Sequence, residues 1–151
     1  MDDGRNNIIH HIMKSKKILI FGVFDSIHEG HLSFISDAKK EGDHLVAVVA
    51  RDSIVENLKG KLPKYNEVER INELLKIPEV DLVLLGDREL STYNVLKEVK
   101  PDVVFLGYDQ TALHKDLNKA IKSGKLPEME IIFGKPYNPE VFHSSILNKK
   151  N

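Results

Sequence analysis

The sequence predicts a single doubly wound α/β domain built on a five-stranded parallel sheet. Three observations carry this. Apolar runs of four to seven residues alternate with segments of helical spacing along the chain. The run HLVAVVA is apolar on both faces, as strands covered by helices on both sides must be. The length of 151 residues fits one domain with a sizeable core.

In chain order, residues 17–23 form a buried strand, and residues 32–40 a helix with Leu32, Ile35 and Ala38 on one face, stopped at Gly42. Residues 44–50 are a second strand. Arg51-Asp52-Ser53 caps a short helix through Leu58, and residues 59–64 (KGKLPK) are a basic, glycine- and proline-punctuated loop. Residues 66–77 are helical, with Asn66 as N-cap and Glu69 three residues on in a capping-box arrangement. Leu82–Leu85 is a third strand ended by Gly86-Asp87, residues 93–99 a helix, and Val103–Leu106 a fourth strand running into Gly107-Tyr108-Asp109-Gln110. Thr111–Lys122 is a helix stopped by Gly124, and Glu130–Phe133 is the fifth strand. A loop over residues 134–142 leads to a short helix at residues 144–149 with serine at its N-cap. Residues 1–15 read as an extension to a domain spanning 16–151, frayed or bound to a partner, with the His10-His11 pair incidental.

Such Rossmann-like sheets bind ligands beyond the carboxyl ends of their strands. The loops to inspect are therefore residues 24–30, Arg51-Asp52, Gly86-Asp87 and residues 107–110.

Bulk properties narrow the chemistry. With 41% hydrophobic and 30% charged residues the composition is that of a soluble globular protein. A net charge of -1 argues against broad capture of nucleic acid but leaves room for a locally basic pocket. There is no cysteine, which excludes disulfides, thiolate zinc sites, cysteine nucleophiles and iron–sulfur clusters, and fits a reducing, cytoplasmic compartment. No apolar run is long enough to span a bilayer, and the N-terminus, acidic first, lacks the apolar stretch of a signal peptide.

The richest stretch is ILIFGVFDSIHEGHLS, residues 18–33. A helix N-terminus carries unpaired N–H groups and about half a unit of positive charge. Gly30 removes a Cβ and lets a phosphate approach, while His28 and His31, three apart, can face one point. This reads as a phosphate-oxygen clamp suited to charge migrating onto a leaving pyrophosphate, by electrostatics and positioning. The same spacing could hold a metal, although no cysteine or evident third ligand stands nearby, or could be a structural turn.

GVFDSIHEGH, with HLVAVVARD and VVFLGYDQ downstream, resembles the nucleotidyltransferase superfamily of cytidylyltransferases and adenylyltransferases, over Lys17 to about Asn148. Within it the chain is similar to archaeal-type FAD synthases and to glycerol-3-phosphate cytidylyltransferases. The resemblance implies that His28 and His31 contact the triphosphate and stabilise the transition state together with Lys61. It implies that Val23, Phe24 and Asp25 line the nucleotide with Gly30, and that Asp109 contacts the nucleoside. It further implies that Ser144 and Ser145 open a helix holding the β- and γ-phosphates. Lys59, with Lys61, would neutralise the acceptor's phosphate and the α-phosphate, and Arg70 would steady the site and bind the acceptor or its phosphate. The alternatives are a solvated loop for the lysines, an exposed ion-pair partner for Arg70 and a plain cap for the serines.

Two departures bear on the substrate. Val23 stands where many members have threonine, and residues 134–140 (GKPYNPE) lack the arginine of the cytidylyltransferases, leaving only Lys135, a point charge without a bidentate fork. By contrast Ala50-Arg51-Asp52, Lys59-Gly60-Lys61-Leu62-Pro63 and Leu106-Gly107-Tyr108-Asp109-Gln110 follow the archaeal FAD synthase pattern, although that type's frequent C-terminal cysteines are absent. The resemblance thus implies transfer of AMP from ATP to FMN with a divalent cation, most simply magnesium, no metal site of protein side chains, and a homodimer. CTP with an alcohol phosphate, or a silent nucleotide- or flavin-binding module, are the rival readings.

Overall fold

The computed structural model describes residues 15–137. The extension up to residue 14, with His10 and His11, and the expected terminal helix, with Ser144 and Ser145, lie outside the described residues. Five strands, β1 (Lys17–Gly22), β2 (His44–Val49), β3 (Leu82–Leu85), β4 (Val103–Leu106) and β5 (Glu130–Phe133), pair in parallel in the order β3-β2-β1-β4-β5. The helices between them are α1 (Glu29–Lys39), α2 (Asp52–Lys59), α3 (Glu67–Leu75), α4 (Asn94–Val99) and α5 (Thr111–Lys122). The winding direction reverses at β1, so the carboxyl ends of β1 and β4 flank the switch point.

Alternation along β1 explains why the sheet is covered twice. Ile18 and Ile20 join Ile35 and Ala38 of α1 and Leu74 of α3 on one face. Leu19, with Val46 and Val48 of β2, meets Val95 and Val99 of the α4 region on the other. Val104 and Leu106 of β4 complete that second face with Leu96, Leu117 and Ala120. Each fully buried aliphatic side chain contributes about 1.5–3 kcal/mol before entropy is counted.

The expected elements are present among the described residues, with shifted ends. Helix α1 starts at Glu29, three residues before the apolar spacing begins, because His28 caps it. Helix α2 runs one residue further than expected and stops where Gly60 adopts φ 74°, a conformation glycine takes without a Cβ clash. Helix α3 carries the expected capping box: Asn66 Oδ1 accepts from Glu69 N–H at 2.9 Å, and Glu69 Oε1 accepts from Asn66 N–H at 3.2 Å.

Candidate active site

The two histidines are bound into the start of α1 by their own rings. His28 Nδ1 accepts from Gly30 N–H at 3.1 Å, and His31 Nδ1 accepts from His28 N–H at 3.2 Å. A backbone N–H can only donate, so both Nδ1 atoms must be lone-pair acceptors, and the remaining ring proton of each neutral imidazole sits on Nε2. The ring centroids lie 3.9 Å apart, too close for two imidazolium charges to coexist cheaply. Burial, with the neighbouring His28 charge adding to it, holds His31 below the ordinary histidine pKa of 6.5.

Gly30 serves this arrangement. A Cβ at residue 30 would stand 2.9 Å from His28 Cε1 and 3.1 Å from its Nδ1. The His28 ring takes the space that a Cβ at residue 30 would need, and Gly30 itself still borders the cleft at the switch point. Gly22 has a matching role, since a Cβ there would lie 2.7 Å from the ring of Phe24. Phe24, at φ 54°, turns that ring into the core beside His31, with centroids 5.8 Å apart.

Arg70 holds the loop from behind and is the one charged residue buried among those described. Its Nε donates to Tyr65 O at 3.0 Å, one terminal nitrogen donates to Val23 O and Ala50 O at 2.8 Å each, and the other donates to Asp52 at 2.7 Å. Asp52 and Glu67 in turn accept each other's backbone N–H, at 3.2 and 2.8 Å, joining the starts of α2 and α3. The expectation that Arg70 binds the acceptor or its phosphate is therefore corrected. At 1% exposure, with its nitrogens bonded to protein oxygens, it fixes the loops after β1 and β2 instead.

Asp25 ties two loops together while still bordering the cleft at the switch point. Its carboxylate accepts from Lys64 N–H at 2.7 Å and Tyr65 N–H at 2.9 Å, tying the basic loop to the β1 loop. Burial pushes this carboxyl up, but the two backbone bonds and the charges of Arg70 and Lys59 outweigh it and leave the pKa below 3.8.

A cleft of about 710 Å³ opens at the switch point. His28, His31, Lys59, Asp109, Lys135 and Tyr137 line it, with Val23, Phe24 and Gly30. A second cleft of about 510 Å³ adjoins it across Val23, Asp25 and Lys59, and is lined further by Lys61, Lys64 and Leu62. Lys59 faces both clefts; Lys61 lines only the second, because the Gly60 turn separates the two lysines. Lys59 is thus the lysine that shares a cleft with the histidines, and Lys61 faces the adjoining one.

The family model described as cytidylyltransferase-like matches residues 19–150 of this chain. The chain belongs to the cytidylyltransferase-like family. It is 36% identical over 134 residues to an FAD synthase of Thermoplasma volcanium, covering 89% of this chain and 92% of that protein. It is 39% identical over 112 residues to an FAD synthase of Thermococcus sibiricus, covering 70% and 76%. The crystal structure of a lipopolysaccharide core biosynthesis protein from Thermoplasma volcanium superposes with a TM-score of 0.75 at 35% identity, over 82% of this chain and 99% of that one. A pantoate-beta-alanine ligase of Francisella tularensis (TM-score 0.56, 15% identity, 90% and 70% covered) shares the fold.

Several residues beside this cleft have structural roles that the sequence reading leaves unassigned. Gln110 accepts from Gly107 N–H at 2.7 Å and donates to Phe21 O at 3.2 Å, fixing the turn that carries Asp109. Arg51 Nε donates to Gly86 O at 2.7 Å, linking the loops after β2 and β3. Both stand just past strands, a signal that placed them on the rim without saying what they hold. Tyr137 left no such signal, since its partner Glu29 lies 108 residues away. Among the described residues no three His, Asp or Glu side chains converge to hold a metal. The histidines and lysines of the lining suit an anion, and a divalent ion there would have to be held by that anion's own oxygens.

Proposed function

We propose that this protein is an FAD synthase: it transfers AMP from ATP, as its magnesium complex, to FMN, releasing pyrophosphate. The observation that carries the reading is the interlocked histidine pair at the switch point, in a chain 36% identical to an FAD synthase along 89% of its length.

An oxygen of the FMN phosphate attacks the α-phosphorus of ATP in line. That P–O bond forms as the bond to the bridging oxygen of the β-phosphate breaks, and pyrophosphate leaves with the electron pair. The attacking phosphate is already ionised, so no general base is required. The metal carried by the nucleotide offsets charge on its phosphates when bound. Nε2–H of His28 and of His31 donate to phosphate oxygens as charge moves onto the leaving group; donors preorganised in this way are each worth about 10²–10³ in rate. Lys59, bordering both clefts, sits between donor and acceptor phosphates, while Lys61 and Lys64 serve the acceptor's phosphate. Asp109 holds the nucleoside from the β4 loop. Ser144 and Ser145 belong to the proposed phosphate site on the resemblance alone.

A homodimer and a cytoplasmic location belong to the same proposal. Exposed Leu58, Leu62, Val68 and Leu75 around α2 and α3 support an apolar contact with a second copy.

The test is a substrate panel: ATP or CTP against FMN or glycerol 3-phosphate, with magnesium, read by chromatography of the nucleotide product and by pyrophosphate release. FAD from ATP and FMN is the expected product. Turnover of CTP with glycerol 3-phosphate and none with FMN overturns the assignment.

A further inference from the structure

One wall of the larger cleft comes from the end of the described chain, residues 134–137, GKPY. The sheet fixes its near end. Gly134 N–H donates to Leu106 O at 2.7 Å, and a Cβ at residue 134 would lie 2.9 Å from Phe105 Cε2. Helix α1 fixes its far end. Tyr137 Oη donates to Glu29 Oε2 at 2.8 Å, and its Cδ2 stands 3.7 Å from where a Cβ of Gly30 would be. Between the anchors, Pro136 has a fixed φ and Lys135 lines the cleft.

Ordering a backbone residue outside a sheet costs about 1–2 kcal/mol. A strap held at both ends has met that cost before the ligand arrives, so a ligand touching it binds tighter. A bond to a charged carboxylate is stronger than a neutral one. Glu29 is absent from the cleft lining, and its carboxylate reaches the strap through Tyr137.

We propose that Glu29 and Tyr137 form a clasp that holds the GKPY strap against α1 as a wall of the nucleotide cleft, making Glu29 a positioning residue for nucleotide binding. The proposal rests on the nucleotidyl-transfer reading of this site. It predicts an effect on nucleotide affinity, because the histidines that carry the chemistry are held by their own caps and not by the strap.

The experiment measures ATP binding by calorimetry and steady-state constants for wild type, Tyr137→Phe, Glu29→Ala and Glu29→Gln. Tyr137→Phe and Glu29→Ala should each weaken ATP binding about tenfold, with a matching rise in KM for ATP, kcat within about twofold and KM for FMN unmoved. Glu29→Gln keeps an acceptor oxygen and should retain most of the affinity. A merely structural clasp would lower the melting temperature without this split. ATP affinity unchanged in both Tyr137→Phe and Glu29→Ala, or a loss confined to kcat, overturns the proposal. A wild type that binds ATP yet forms no FAD overturns the functional reading instead, and the clasp is then decided by the binding arm.

Discussion

His28 and His31 cap one helix through each other: the first ring accepts from Gly30 N–H and the second from His28 N–H, and their centroids stand 3.9 Å apart. The pair caps the first turn of α1 and, in the proposed reaction, also faces the phosphates. Capping and catalysis can be separated by substitution. Asparagine at residue 28 can cap the helix but has no imidazole Nε2–H. His28→Asn should therefore keep its thermal midpoint while FAD formation falls by about 10²–10³. His31→Ala should lose turnover to a similar degree and about 1 kcal/mol of stability besides. Turnover assays beside thermal melts read both.

Gly30→Ala should separate stability from turnover. Alanine gains up to about 1 kcal/mol of helix propensity over glycine. The added Cβ meets the His28 ring at 2.9 Å, and that ring can swing aside. The propensity gained is offset by the cap lost when the ring leaves Gly30 N–H, so stability should change little, while kcat/KM falls at least about tenfold as His28 leaves its place.

Acid should act through His31. Its pKa is lowered in the fold, so the unfolded chain takes up a proton near pH 6.5 that the folded chain still refuses. Stability from this group is full above 6.5 and is lost as pH falls through the lower folded value. Melts of wild type and His31→Asn from pH 8 to about pH 5 should show a fall in the wild type that is shallower in the variant.

Lys59 and Lys61 should differ although two residues apart. Lys59 borders both clefts and Lys61 only the smaller. Lys59→Ala should raise KM for ATP and for FMN together, and Lys61→Ala should raise KM for FMN alone. Two-substrate kinetics reads this directly.

Arg70→Met removes a guanidinium that bonds Tyr65, Val23, Ala50 and Asp52, leaving Asp52 without its buried partner. Loss of one member of such a pair costs about 3–5 kcal/mol when both are buried, and less here because Asp52 is partly exposed. Urea unfolding should show a lower midpoint. Arg70→Lys should recover little, since an ammonium cannot reach all four oxygens.

The strands and helices were legible because their signals are local. Apolar period, glycine stops and the Asn66–Glu69 box each act within a few residues, and β3, β4, α5 and β5 match their expected bounds. The start of α1 was read three residues late because its cap is made by imidazoles, which no propensity or apolar spacing announces. The sequence by itself determined the parallel αβ alternation and the chemical residues at its rim: two histidines, a basic loop and an acidic strand end. Only the tertiary structure decided their offices. It buried Arg70 behind the loop, spent the Asp25 carboxylate on Lys64 and Tyr65, and sent Lys59 and Lys61 to different clefts. It also brought Tyr137 to Glu29 across 108 residues. A charged side chain goes where its hydrogen bonds are best satisfied, and the partners that satisfy these come from elements far apart in the chain.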